Sequence, residues 1–181
     1  MVYVLLADGF EEAEAIVPAD LLRRSGAEVA LVGVTGPVVT GGHGIAVNCD
    51  LTLEQADPEQ MEMLVIPGGM GGVENIQMDL FAMALIQKAA DRGSYLAAIC
   101  AAPILLGYLG IADRRRAVCY PGLEDEMGSA VVQKGAIVVT DGRIITAEGP
   151  GAAFDFGLKL VETLKGADTA RQVAHDACWR H

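Results

Sequence analysis

A chain of 181 residues is long enough for one compact domain that buries roughly 70% of its unfolded surface, and too short for two ordinary ones. Apolar residues make up 52% and charged residues 20%, which excludes a disordered chain, and a net charge of -11 sets long-range repulsion against DNA or RNA. No secretory leader opens the sequence and no apolar run approaches membrane-spanning length, so the expectation is a single-domain, soluble, cytoplasmic protein with neither a nucleic-acid nor a membrane partner.

In chain order, Val2–Leu6 predicts a strand closed by Asp8-Gly9. Residues 11–24 crowd acids at their start and arginines at their end, as a helix matched to its own dipole does, and Pro18 predicts a kink or a restart inside it. Residues 28–34 read as a second strand, and the glycine-rich piece 36–45 as a hairpin or loop leading into Ala46-Val47. Met63–Ile66 predicts a buried strand ended by Pro67-Gly68-Gly69-Met70-Gly71-Gly72. Asp79 caps a helix over Leu80–Arg92 with Phe81, Leu85 and Ala89 on one face and Gly93 at its stop.

Tyr95–Ile99 is an apolar run that passes at Cys100 into helix-competent sequence from Ala101 to about Leu109. Residues 117–120 predict another strand, and residues 136–140 and 143–147 a hairpin about Asp141-Gly142. Gly149-Pro150-Gly151 opens a helix whose Phe154, Leu158, Val161 and Leu164 recur at helical spacing, and a last amphipathic piece covers residues 169–178. Alternating strands and helices imply an α/β fold, a mostly parallel sheet covered on both faces, with sites at the carboxyl ends of its strands. The segments near Glu14, Gly68-Gly69, Cys100 and Tyr120 are then expected to open onto one crevice.

Several residue types there carry chemistry. A strand that turns sharply into a helix projects its turn residue into a cleft and needs small neighbours, which Ala98, Ala101 and Ala102 supply for Cys100. At a helix N-terminus the thiolate is favoured over the thiol, although a free cysteine also serves as a small buried hydrophobe. The amides of Pro67-Gly68-Gly69 and Ala101 have the makings of an oxyanion hole, or of a plain tight turn. Glu14 shares a helical face with Val17 and Leu21, whereas Glu11 and Glu12 are freer to meet solvent; turned inward, Glu14 is an acid/base, and otherwise it belongs to an acidic first turn. His43 is a loop histidine, solvated or reaching into the crevice. Dinucleotide and phosphate-loop fingerprints are missing, so no nucleotide cofactor is expected, and the cysteines at 49, 100, 119 and 178 have no metal-ligand spacing, so no metal is expected either.

Gly9-Phe10-Glu11-Glu12-Ala13-Glu14, Ile66-Pro67-Gly68-Gly69, Ala98-Ile99-Cys100-Ala101-Ala102-Pro103 and Gly149-Pro150-Gly151 together resemble the ThiJ/PfpI superfamily, in the branch of the Parkinson-disease-associated deglycase. The resemblance spans nearly the whole chain. It implies a flavodoxin-like three-layer α/β/α sandwich and a homodimer, with Cys100 at a nucleophile elbow, Glu14 as its protonated partner, the Gly69 and Ala101 amides at the oxyanion site, and Gly68, His43, Tyr120, Gly149 and Pro150 as accessory positions. Two departures stand out: Tyr120 replaces a histidine found near the cysteine in family members, and His43 an arginine. Ala101 after the cysteine removes the histidine of the peptidase and amidase branch, leaving hydrolysis as the weakest reading. Glu148 stands where relatives carry a basic residue, which argues against an anionic substrate. The expected activity is cofactor-independent conversion of small reactive dicarbonyls, of the glyoxalase III or deglycase type, through a Cys100 hemithioacetal with Glu14 moving the proton. The alternative is an oxidative-stress sensor or chaperone acting through a Cys100 sulfinic acid.

Overall fold

All five residues of Val2-Tyr3-Val4-Leu5-Leu6 are buried, and alternate side chains enter two different apolar cores, so this strand, β1 (Val2–Leu6), lies between two helical layers. The computed structural model describes residues 1–180. After β1 come α1 (Glu12–Arg24), β2 (Val29–Gly33), β3 (Val38–Thr40), β4 (Ala46–Asn48), β5 (Leu51–Thr52) and β6 (Met63–Ile66). They are followed by α2 (Met70–Met78), α3 (Leu80–Arg92), β7 (Tyr95–Ile99), α4 (Pro103–Tyr108), β8 (Arg116–Ala117) and β9 (Val131–Val132). The hairpin β10 (Val138–Asp141) and β11 (Ile144–Ala147) and the helices α5 (Ala153–Lys165) and α6 (Ala167–Asp176) complete the chain.

The main sheet has seven strands in the order β10-β11-β7-β6-β1-β2-β5, parallel except where β10 pairs antiparallel with β11. One face packs on Val73, Ile76, Ile86 and Leu105, from α2, α3 and α4, and the other on Ala15, Leu22, Phe156 and Val173, from α1, α5 and α6. The strand order reverses at β1, which pairs with β2 on one side and β6 on the other, and such a switch point leaves a crevice at the carboxyl ends of the strands. No helix is long and apolar enough to cross a membrane.

Several elements depart from expectation. α1 runs without a restart through Pro18. The glycine-rich segment after β6 folds into α2, a helix that intrinsic propensity disfavours and the burial of Val73 and Ile76 supports. Asp79 caps α3 by accepting from the Phe81 and Ala82 amides, but Phe81 itself is 79% exposed and the buried face is Ala82, Leu85, Ile86 and Ala89. On α5 the buried stripe is Ala153, Phe156, Gly157, Leu160 and Val161; of the expected set Val161 is buried, and Phe154, Leu158 and Leu164 are half-buried at its edge. Residues 117–120 add no strand to the main sheet. Only Arg116–Ala117 pairs, with β9, and the Val118 amide turns instead to the buried Thr146 hydroxyl at 2.8 Å.

Candidate active site

At the end of β7 the chain turns at Cys100, whose φ of 66° is left-handed backbone that a non-glycine residue adopts at a cost of about 1 kcal/mol or more. Two hydrogen bonds hold it there. Its amide donates to the Ala147 carbonyl at 2.9 Å, and its carbonyl accepts from the Tyr120 amide at 2.7 Å. Ala98, Ala101 and Ala102 are buried around the turn. α4 begins only at Pro103 and has six residues, so Cys100 precedes the first helical turn rather than lying in it, and the expected help from a helix dipole is small.

The Glu14 carboxyl, fully buried on α1, closes the site from the other side. Its Oε2 accepts from the Gly68 amide at 2.7 Å. Its Oε1 is buried without a hydrogen bond of regular geometry, and the side chain that bears on the carboxyl is the Cys100 thiol. Gly68 is what lets them meet: a Cβ there would lie 2.6 Å from Glu14 Oε2 and 2.7 Å from Cys100 Cβ. Gly69, with φ of 84°, brings its backbone against Gly9, where a Cβ would lie 2.4 Å from the Gly9 carbonyl oxygen. The amides of Gly69 and Ala101 both bear on the Cys100 sulfur.

Burial raises the Glu14 pKa from its ordinary 4.5 to about 7, against the lowering effect of the Cys100 and Gly68 hydrogen bonds. Burial, then the charge of Glu14, push the Cys100 thiol up to about 12, with the Gly69 and Ala101 amides pulling the other way. A sulfur ionised by itself at neutral pH is therefore not what the geometry provides. The two groups face each other in a dry site and carry at most one negative charge between them near neutrality, so they titrate as a pair.

Glu12 overturns an expectation, while His43 follows the solvated of its two readings and does not reach the thiol. Glu12 is 7% exposed rather than solvated, because its Oε1 accepts from the His43 amide at 2.8 Å and its Oε2 meets the His43 ring Nδ1 at 2.9 Å. The His43 ring also stands 3.6 Å from Glu11 Oε2, so the partners of this histidine are the two carboxylates at the start of α1, and not the thiol. Burial would raise the Glu12 pKa, but the His43 side chain and the local amides outweigh it and lower it. Glu11, Glu12 and His43 have donor atoms within 4.8 Å of one another, a spacing suited to a metal ion, with the Glu12 oxygens already engaged by His43.

Tyr120 reaches the site through its backbone. Its ring lies against Gly149, where a Cβ would be 3.3 Å from Tyr120 Cδ2, and is 48% exposed. Tyr120, Gly149 and Pro150 line one cavity of about 380 Å³ together with Ile137, Glu148 and Asp155. Larger cavities of about 500 and 600 Å³ lie elsewhere and hold none of the residues that surround the thiol. Thr146 went unread in the sequence; a buried threonine in an apolar strand, IITA, is the signal that marks it. Of the other cysteines, Cys119 is buried and pushed up to about 11 by burial, Cys49 is raised by burial, and Cys178 is exposed.

Comparison with known proteins agrees with this arrangement of the sheet and its helices. The DJ-1/PfpI family model matches residues 1–163, and the chain belongs to that family. It is 35% identical over 175 residues to the protein dj-1beta of Drosophila melanogaster, covering 94% of this chain and 92% of the relative. It is equally 35% identical over 165 residues to a protein of Pyrococcus abyssi named a deglycase, covering 91% of this chain and 99% of that one. The solved structure of oxidized Toxoplasma gondii DJ-1 superposes with a TM-score of 0.94 at 32% identity, over 99% of this chain and 98% of that one, and carries the same flavodoxin-like fold.

Proposed function

We propose that the protein is a cofactor-independent enzyme that converts reactive dicarbonyls such as methylglyoxal to hydroxy acids through Cys100 and Glu14. The observation that carries this reading is the buried Glu14 carboxyl, with one oxygen on the Gly68 amide and the other side facing the thiol at a strained elbow. The relatives named deglycase support an enzyme of this general type.

In the proposed sequence the Glu14 carboxylate takes the Cys100 proton as sulfur bonds to the aldehyde carbon, and the carbonyl oxygen, negative as the C–S bond forms, rests on the Gly69 and Ala101 amides. Protonation of that oxygen by Glu14 gives the hemithioacetal. Glu14 then removes the proton from the former aldehyde carbon and returns it to the neighbouring carbon, while the hydroxyl proton passes from the first oxygen to the ketone oxygen through the enediol, which turns the hemithioacetal into a thioester of the hydroxy acid. Water cleaves the thioester, releasing lactate and restoring the thiol, so the sum is methylglyoxal plus water to lactate. Purified protein given methylglyoxal without glutathione is expected to form lactate, and Cys100→Ser to form none; lactate output untouched by that substitution would discard the mechanism.

Glu14 Oε1, buried and without a hydrogen bond of regular geometry, favours a second reading. Two equivalents of peroxide take the Cys100 thiol to a sulfinic acid with release of two waters, and a protonated Glu14 is placed to donate to the new sulfinate oxygen. Intact mass and peptide mapping after mild peroxide test it: two oxygens on Cys100 before any other cysteine reacts is the expected result.

A further inference from the structure

β11 runs parallel to β7 with Ala147 opposite Ile99, and the Cys100 amide donates to the Ala147 carbonyl at 2.9 Å. That bond sets the backbone of Glu148 near that of Cys100 at the point where both strands end. Glu148 is fixed there by its own amide, which donates to the Ile137 carbonyl at 3.1 Å. Its side chain lines the cavity shared with Tyr120, Gly149 and Pro150, and none of the residues lining that cavity is basic. Lys134, carried on the β9–β10 connection, pairs with Glu124 rather than with Glu148. The half-exposed Tyr120 ring adds an aromatic face, a surface that attracts cations and not anions.

We infer that Glu148, whose backbone lies beside that of the nucleophile and whose side chain lines the neighbouring cavity without a basic residue, makes this site selective for cationic over anionic electrophiles. The inference rests on Cys100 being the reacting group and deepens the proposed function: among carbonyl compounds, the favoured ones carry an ammonium or guanidinium group, and carboxylate-bearing ones are disfavoured. A carboxylate beside a partly wetted cleft raises the local concentration of a cation and lowers that of an anion, together about tenfold.

The test uses three methanethiosulfonates of matched size, one with an ammonium group, one neutral and one with a sulfonate. Each transfers its alkylthio group to a thiolate, breaking its S–S bond, forming a protein disulfide and releasing methanesulfinate. Rates at Cys100 and at the exposed Cys178 are read by peptide mass in the same sample, so Cys178 reports the general field of an acidic protein. Dividing the charged by the neutral rate within each variant removes changes in thiol reactivity. The expected cation-to-anion ratio at Cys100 exceeds that at Cys178 about tenfold, falls severalfold toward the Cys178 value in Glu148→Gln, with the Glu14 charge left in place, and falls further in Glu148→Arg. A Cys100 ratio equal to that of Cys178 in the unsubstituted protein overturns the inference, as does a raised ratio that neither substitution moves. Failure of lactate formation would instead sink the proposed reaction and leave this charge ratio standing, so the two are separable.

Discussion

Glu12 and Glu14 stand two residues apart on the first turn of α1, both are buried, and their pKa values move in opposite directions. Around Glu12 the His43 amide, the His43 ring and the Ile45 amide all favour the charged form, so its pKa falls. Around Glu14 there is one amide and one un-ionised thiol, so burial wins and its pKa rises to about 7. Burial sets the cost of a charge and the count of charge-favouring partners decides whether it is met. One carboxylate pins a loop, and the other is left able to hold or release a proton near neutral pH.

The largest effect that would sharpen this contrast is at the thiol Glu14 serves. Cys100→Ser should lower lactate formation from methylglyoxal on the order of a thousandfold or more. Glu14→Gln should lower kcat/KM about a hundredfold or more, and should erase the rise in kcat/KM through an apparent pKa near 7 that belongs to the pair. Stability gives the same residue a second readout. Because the folded pKa of Glu14 lies above its ordinary 4.5, the folded protein holds the proton more tightly. Its contribution to stability is therefore full below pH 4.5 and falls by about 3 kcal/mol as pH rises to 7, a decline that urea unfolding should find missing in Glu14→Gln.

Gly68→Ala places a methyl group between the two reacting side chains and should cost about tenfold or more in kcat/KM, with a loss of about 2 kcal/mol in stability. Glu12→Gln should show the opposite sign to Glu14. Its lowered pKa contributes stability above the ordinary value of 4.5 that is lost as pH falls through the folded value, so the variant should be weaker by about 1 kcal/mol at pH 7 and indistinguishable in acid, with activity changed less than about threefold. Smallest is Tyr120→Phe, under about twofold in kcat/KM, because the bond to Cys100 is made by the backbone amide, which phenylalanine keeps.

The sheet was legible because Val2–Leu6, Met63–Ile66 and Tyr95–Ile99 are unbroken apolar runs with turn residues at their ends, and buried parallel strands require that pattern. Cys100 was legible for a related reason, since only small residues tolerate the strained turn and three alanines surround it. Glu12 was not, because its burial depends on a partner more than thirty residues away in the 41–45 loop, and no local period reports such a contact. Residues 117–120 misled for the same reason: the Val118 and Tyr120 amides find the Thr146 hydroxyl and the Cys100 carbonyl, tertiary partners that compete with strand pairing. α2 was hidden by glycines, whose weak helix propensity is overridden by packing against the sheet.

The coupling of thiol and acid is tested most directly by the rate at which neutral iodoacetamide alkylates Cys100 between pH 5 and 10, followed by peptide mass in the unsubstituted protein and in Glu14→Gln. The account predicts a rise in rate with an apparent pKa near 7 in the former and none there in the latter. A single rise near the ordinary thiol value, the same in both proteins, would contradict it.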